Sequence, residues 1–246
     1  MKTNITALIF LVIIVLIGLI IVNRNKSEMP TDTTTPTQTT QEISITDQKI
    51  TQENYSATKP VISGTGALAD AARAFVDQNV ATFGVTADKE VPDLRKEFGA
   101  DAPTAHYELE MEADTVQSPT TMSIVINSYA YTGGANGMSS YKVFTASKKT
   151  GKVLALNDVI KQDQQGAFLN TVKQQLLSYR PDGGDTLPVF KEQVQKLGLA
   201  QLDDFAFNPT EMIIYFDKYE VGPGAMGPVP LPIPLTVLQN YLVPME

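Results

Sequence analysis

The chain has 246 residues, a formal charge of −8, no cysteine and one histidine. Disulfides, cysteine nucleophiles, Cys-ligated zinc and two-histidine zinc sites are thereby excluded. The acidic balance argues against a nucleic-acid partner, because phosphate binding needs clustered Lys and Arg.

Residues Met1–Asn4 form a short tail. Ile5–Val22 follows, 18 residues without a charge. At about 1.5 Å per residue such a helix reaches roughly 27 Å, the thickness of a bilayer core. It ends in Ile-Ile-Val-Asn-Arg, without the small-residue site of a cleavable signal peptide. We read it as an uncleaved single-pass transmembrane anchor, so the membrane is the first expected partner. Lys2 on one side and Arg24 and Lys26 on the other leave the orientation open by charge. Residues 23–42, rich in Thr and Pro, cannot bury enough apolar surface to fold and read as a disordered stalk.

From residue 43 the pattern is that of a globular α+β region: an antiparallel sheet with helices packed on one face. We divide it into halves, 43–130 and 131–246. Glu42–Ile50 alternates weakly, as a first strand. Leu68, Ala72, Phe75, Val76, Val80 and Phe83 then form one apolar helix face, with Gly84 as a stop. His106–Asp114 alternates cleanly. Tyr107, Leu109, Met111 and Ala113 face one way; Glu108, Glu110, Glu112 and Asp114 face the other. Thr120–Thr132 reads as its hairpin partner, and two short strands flank Lys149-Thr150-Gly151. Asn157 is placed as the cap of a short helical turn. Helices are expected over Asp163–Arg180 and from Leu187 to Gly198, and a strand over Glu211–Asp217.

Near the C-terminus, Pro228, Pro230, Pro232 and Pro234 alternate with Val229, Leu231, Ile233 and Leu235. In an antiparallel strand successive residues direct their backbone groups to opposite edges. Prolines at every second position therefore strip donors from one edge only. The pattern predicts an edge strand blocked on its outer side.

The sequence contains no G-x-S-x-G, no P-loop and no G-x-G-x-x-G opening a helix. No catalytic residue, metal ligand or cofactor is expected, and the chain reads as a non-enzyme. The candidate binding elements are the glycine-rich loop Tyr131-Thr132-Gly133-Gly134-Ala135-Asn136 and the loop Tyr219-Glu220-Val221-Gly222-Pro223-Gly224. The row Glu108, Glu110, Glu112 and Asp114 is a candidate electrostatic patch for a cationic partner. Its alternate positions are too widely spaced to cage a metal ion without other ligands.

Two stretches, Tyr131–Ile160 and Ile213–Leu238, carry a wider resemblance. Tyr131-Thr132-Gly133-Gly134-Ala135, Thr150-Gly151-Lys152, Leu156-x-Asp158, Tyr219-Glu220-Val221-Gly222-Pro223 and Ile233-Pro234 occur in one order. They resemble a family of extracytoplasmic domains of unknown function, found beside the catalytic domain of PdaC-type peptidoglycan deacetylases and in RsiV-type anti-sigma factors. Asn136, Gly224 and Leu235 stand where that pattern often carries His, Tyr and Tyr. The resemblance implies an external C-terminal region that binds a cell-wall glycan or a lysozyme-like cationic protein. It does not bring a deacetylase active site, which needs a separate metal-binding domain. With only Met1–Asn4 on the inner side, no sigma factor is expected as partner. The alternative is a carboxylate-dependent enzyme acting on peptidoglycan or another surface glycan, which needs two acidic residues converging in a cleft.

Overall fold

The computed structural model describes residues 42–180 and 189–244, all within one compact unit, Thr39–Glu246. The expected anchor, Ile5–Val22, and nearly all of the stalk lie outside the described residues. Among those residues no helix is long and apolar enough to cross a membrane.

Strands β1 (Ser44–Thr51) and β2 (Tyr55–Ser63) form a hairpin that leads into helix α1, Ala67–Phe98. Leu68, Ala72, Val76, Val80, Phe83, Ala87 and Val91 recur every three or four residues and are buried along one face. Gly84 does not end this helix, contrary to the sequence expectation. It is a buried packing position, where an added Cβ would lie 2.8 Å from the Tyr55 hydroxyl. The stop is Gly99, at φ +92°, whose N–H donates to the Arg95 carbonyl at 3.0 Å.

Strands β3 (Tyr107–Gln117), β4 (Thr121–Tyr131), β5 (Met138–Ser147) and β6 (Val153–Leu154) complete a six-stranded sheet ordered β1-β2-β3-β4-β5-β6. The sheet is mixed, which corrects the expectation of an antiparallel one: β2 and β3 run parallel. The reason is α1, a crossover long enough to return the chain to the end from which β2 set out.

A second, three-stranded sheet holds β7 (Phe205–Phe207), β8 (Glu211–Phe216) and β9 (Val229–Pro234) in that order. It packs on the face of the large sheet that α1 leaves open, through Val125 and Val143 against Ala206 and Tyr215. The Thr145 hydroxyl donates to the Phe205 carbonyl inside this contact. On its far side the small sheet is covered by α3 (Gln165–Ser178) and α4 (Lys191–Lys196), which follow the single turn α2 (Leu156–Val159). Helices therefore lie on both outer sides rather than on one face, because each sheet has its own apolar face to cover. At α2 the capping role falls to Asp158, whose carboxylate accepts the Ala155 N–H at 2.9 Å, and not to Asn157.

Strand β9 behaves as its prolines require. It is the outer strand of its sheet. Val229, Leu231 and Ile233 are buried opposite Phe216, Ile214 and Met212, while Pro232 and Pro234 are exposed. The parity continues at Leu235, whose N–H donates to the Thr210 carbonyl at 2.8 Å.

Candidate functional site

Alternation along β3 buries Tyr107, Leu109 and Met111 beneath α1 and exposes Glu108, Glu110, Glu112 and Asp114 on the opposite face. The β3–β4 register sets these beside Tyr131, Tyr129, Asn127 and Val125 respectively. Among the described residues none of the four carboxylates enters an ion pair. Of the four, Asp114 acts on the small sheet. Burial, then Tyr141 and Asp114, push the Tyr215 phenol up to about 12, so it stays protonated.

The glycine-rich loop joins β4 to β5. The Tyr131 hydroxyl donates to the Gly134 carbonyl at 3.1 Å, closing the loop on itself. Gly133 sits at φ +78° against Thr104, with no room for a side chain. Thr132 is half-buried, whereas Gly134 and Asn136 are exposed. Gly137 lies directly beneath the Tyr129 ring.

In the second loop Tyr219 adopts φ +72°, the left-handed region that bulky residues avoid. Its ring lies over Gly224, and the Lys218 ammonium stands 5.2 Å from its centroid. Gly224 thus leaves the space that the Tyr219 ring fills. Gly222 is buried against Met226, and Pro223 precedes the turn Gly224–Met226. Glu220 points inward: its Oε2 accepts the Asp217 N–H at 2.8 Å, and burial is the main cause that pushes its carboxyl up to about 7.

Lys218 draws the two loops together. Its N–H donates to the Ser139 carbonyl at 3.0 Å and its Nζ to the Gly137 carbonyl at 2.8 Å. Glu110, Tyr129, Gly137, Lys218 and Tyr219 therefore follow one another across a continuous face. Asn136 and Gly134 have no described contact to the second loop. Sequence reasoning passed over Tyr129 and Lys218. The alternation of β4 places Tyr129 on the acidic side, but nothing local marks Lys218.

Two further acidic residues were also missed. Strand β6 pairs with β5 only at Thr145 and Ala146. Beyond it, Asp204 Oδ1 accepts the Val143 N–H at 2.7 Å and meets Lys142 Nζ at 2.9 Å, and Asp217 Oδ1 accepts the Tyr141 N–H at 2.8 Å. Carboxylates here take the place of a neighbouring strand. Burial, with Asp204 nearby, pushes Asp217 up to about 6.

A groove of about 250 Å³ opens beside the acidic row, lined by Lys49, Thr51, Ser56, Thr58, Glu108 and Glu110 among others. Among the described residues no group of three or more potential ligands is placed to hold a metal ion.

The deacetylase PdaC family model matches residues 28–139, and the model for a protein of unknown function (DUF3298) matches residues 157–236. The first match ends as β5 begins and the second spans the small sheet and its helices. The chain is 26% identical over 196 residues to the peptidoglycan-N-acetylmuramic acid deacetylase PdaC of Bacillus subtilis, covering 77% of this chain and 39% of that protein. It is 27% identical over 163 residues to the anti-sigma-V factor RsiV of the same organism, covering 63% of this chain and 56% of that protein. The match thus spans well under two thirds of either relative. A crystal structure of a DUF3298 family member from Bacteroides fragilis superposes with a TM-score of 0.60 at 16% identity, over 85% of this chain and 96% of that one. Another, from Pseudomonas aeruginosa, gives 0.55 at 17% identity, over 84% and 96%. Residues 157–236 thus match the DUF3298 model and residues 28–139 the PdaC model, the folded region shares the fold of the solved DUF3298 structures, and the relatives it resembles are named PdaC and RsiV.

Proposed function

We propose that the chain is a membrane-anchored, extracytoplasmic binding module of a bacterial cell envelope. Its acidic and aromatic face recognises a wall-directed cationic protein such as lysozyme, or a component of the wall. One observation carries this reading: four carboxylates without described partners share a face with Tyr129 and with Tyr219, 37% and 44% exposed. Unpaired like charges at alternate strand positions repel one another, and a cationic partner relieves that repulsion. The relatives' names, a peptidoglycan deacetylase and an anti-sigma factor, support an envelope setting. The anchor assigned to Ile5–Val22 would tether the domain to the membrane, and the resemblance to the PdaC and RsiV relatives supports its external side.

The test is binding of the purified chain to immobilised lysozyme and to peptidoglycan. Replacing Glu108, Glu110 and Glu112 together with Lys should slow association with lysozyme about tenfold or more at low salt and flatten its salt dependence. Absence of binding to both targets would remove the reading's content. Protease treatment of intact cells should release the domain, and full protection would overturn the external placement.

A second reading rests on the groove, which brings Glu108 and Glu110 to one wall. Two carboxylates on one groove are the minimum for glycan hydrolysis. Release of reducing ends from peptidoglycan, lost in Glu110→Gln, would favour it over the binding module.

A further inference from the structure

The six-stranded sheet opens in its interior. β2 and β3 pair only over Tyr55–Thr58 and Tyr107–Glu110, although β2 runs on to Ser63 and β3 to Gln117. Backbone direction explains where the ladder stops. The Tyr107 N–H donates to the Asn54 carbonyl at 3.0 Å, so odd-numbered residues of β3 face β2. The Ser118 N–H donates to the Thr121 carbonyl at 3.0 Å, so even-numbered residues face β4. On β2, the Tyr55 carbonyl accepts the Gln52 N–H within the β1–β2 hairpin, so its even-numbered residues face β3. The even position after Thr58 is Pro60, which has no N–H to give. From there the hairpin also turns about its axis. Ala57 and Ile62 lie on opposite faces of β2, five residues apart, yet both are buried against α1.

The consequence falls on β3. Ala113, Thr115 and Gln117 direct their N–H and C=O groups to the side that β2 has left. Among the described residues no ladder pair joins β2 to β3 beyond Thr58 and Glu110, so these groups have no paired strand on that side. Thr115 is exposed even though its parity puts it on the α1 side of the sheet. Flanking this edge on the other face are Glu112 and Asp114, two residues or about 6.5–7 Å apart along the strand.

Those side chains select the occupant. A second copy pairing edge to edge would set one acidic row against another, which cross-strand repulsion opposes. A strand with Lys or Arg at every second residue would instead place its cations beside the two carboxylates while pairing with the open backbone edge. We infer that the β3 edge from Ala113 to Gln117 takes up an extended segment of a partner protein, cationic at alternate residues, by strand addition. The inference shares its carboxylates with the proposed binding face but is carried by the backbone, so either stands without the other.

The test uses the full chain and synthetic peptides in which Lys alternates with Thr. The alternating peptide should bind at least about tenfold more tightly than one of equal composition with its Lys residues contiguous. N-methylation then separates strand addition from charge attraction. In antiparallel addition the Thr amides point at β3, so methylating them should abolish binding while methylating the Lys amides is tolerated. Sensitivity confined to the Lys amides would mean parallel addition, which also supports the site. Equal binding of both methylated peptides, or equal loss, overturns it. On the protein side, Thr115→Pro removes one free N–H and should abolish binding with unchanged circular dichroism, whereas Thr115→Val should bind as the parent chain does. Wild-type affinity in Thr115→Pro would also overturn the inference. A chain that binds neither lysozyme nor peptidoglycan, yet shows the methylation pattern, would sink only the reading of the face.

Discussion

Two edges of this molecule share a chemistry and differ in outcome. β9 ends its sheet with prolines at every second position, so its outer side has no donors. β3 borders a gap that begins where Pro60 on the neighbouring strand has no donor to give, and its own amides remain. A proline protects the edge it sits on and exposes the strand it would have paired with. A third edge, that of β5, is closed differently, by the Asp204 and Asp217 carboxylates. Prolines close an edge irrespective of pH, whereas the Asp217 carboxyl, pushed up to about 6 mainly by burial, changes its charge as pH passes that value.

The comparison can be broken most severely at the inner side of β9. Leu231→Ala deletes a side chain that is 2% exposed in the second core and should cost about 2–5 kcal/mol. The partner change, Pro232→Ala, touches the exposed side and should cost about 1 kcal/mol or less, through the unfolded chain. Urea unfolding of both variants tests the claim; equal losses would mean that the prolines themselves hold the strand.

The carboxylate-closed edge comes next. Asp204→Ala leaves the Val143 N–H without its acceptor and should cost about 1–3 kcal/mol by the same measurement. Glu220 supplies a pH test of this region. Its folded value, about 7, lies above the ordinary 4.5, so the folded state binds the proton more tightly than the unfolded one. Its favourable contribution is complete below about pH 4.5 and disappears as pH rises through about 7. Asp217 acts in the same direction up to about 6. Glu220→Gln keeps an acceptor for the Asp217 N–H and should flatten the fall in stability between these limits. Thermal unfolding across that range checks it, and an unchanged slope would show that Glu220 does not titrate there.

The smallest expected effect is at the open edge. Pro60→Ala restores a donor facing β3 and should change stability by no more than about 1 kcal/mol. The new amide at position 60 should nonetheless be protected from hydrogen exchange if the ladder extends. It should also weaken uptake of the alternating Lys peptide. Rapid exchange at that amide would show that the hairpin's rotation, not the missing donor, opens the gap.

What the sequence determined by itself was set by period and by backbone chemistry. The alternation Tyr107–Asp114 placed one face inside and one outside, and the alternation of proline with Val, Leu and Ile identified an edge strand before any partner strand was known. Both follow from the two-residue repeat of a strand, which needs no distant information. Helix spacing was equally legible up to Gly84, where local propensity misled. The contact with Tyr55 that rewards a glycine there is made by a residue 29 positions earlier, and no window around Gly84 contains it.

Tertiary structure decided the rest. The parallel β2–β3 pair depends on where a 32-residue helix returns the chain. The second sheet depends on which apolar faces remain uncovered. The two candidate loops became one face because Lys218 reaches Gly137 and Ser139, about 80 residues back in the chain. Such contacts join residues that share no local pattern, so the acidic row was readable from the sequence while its aromatic surroundings, and the open edge beside it, were not.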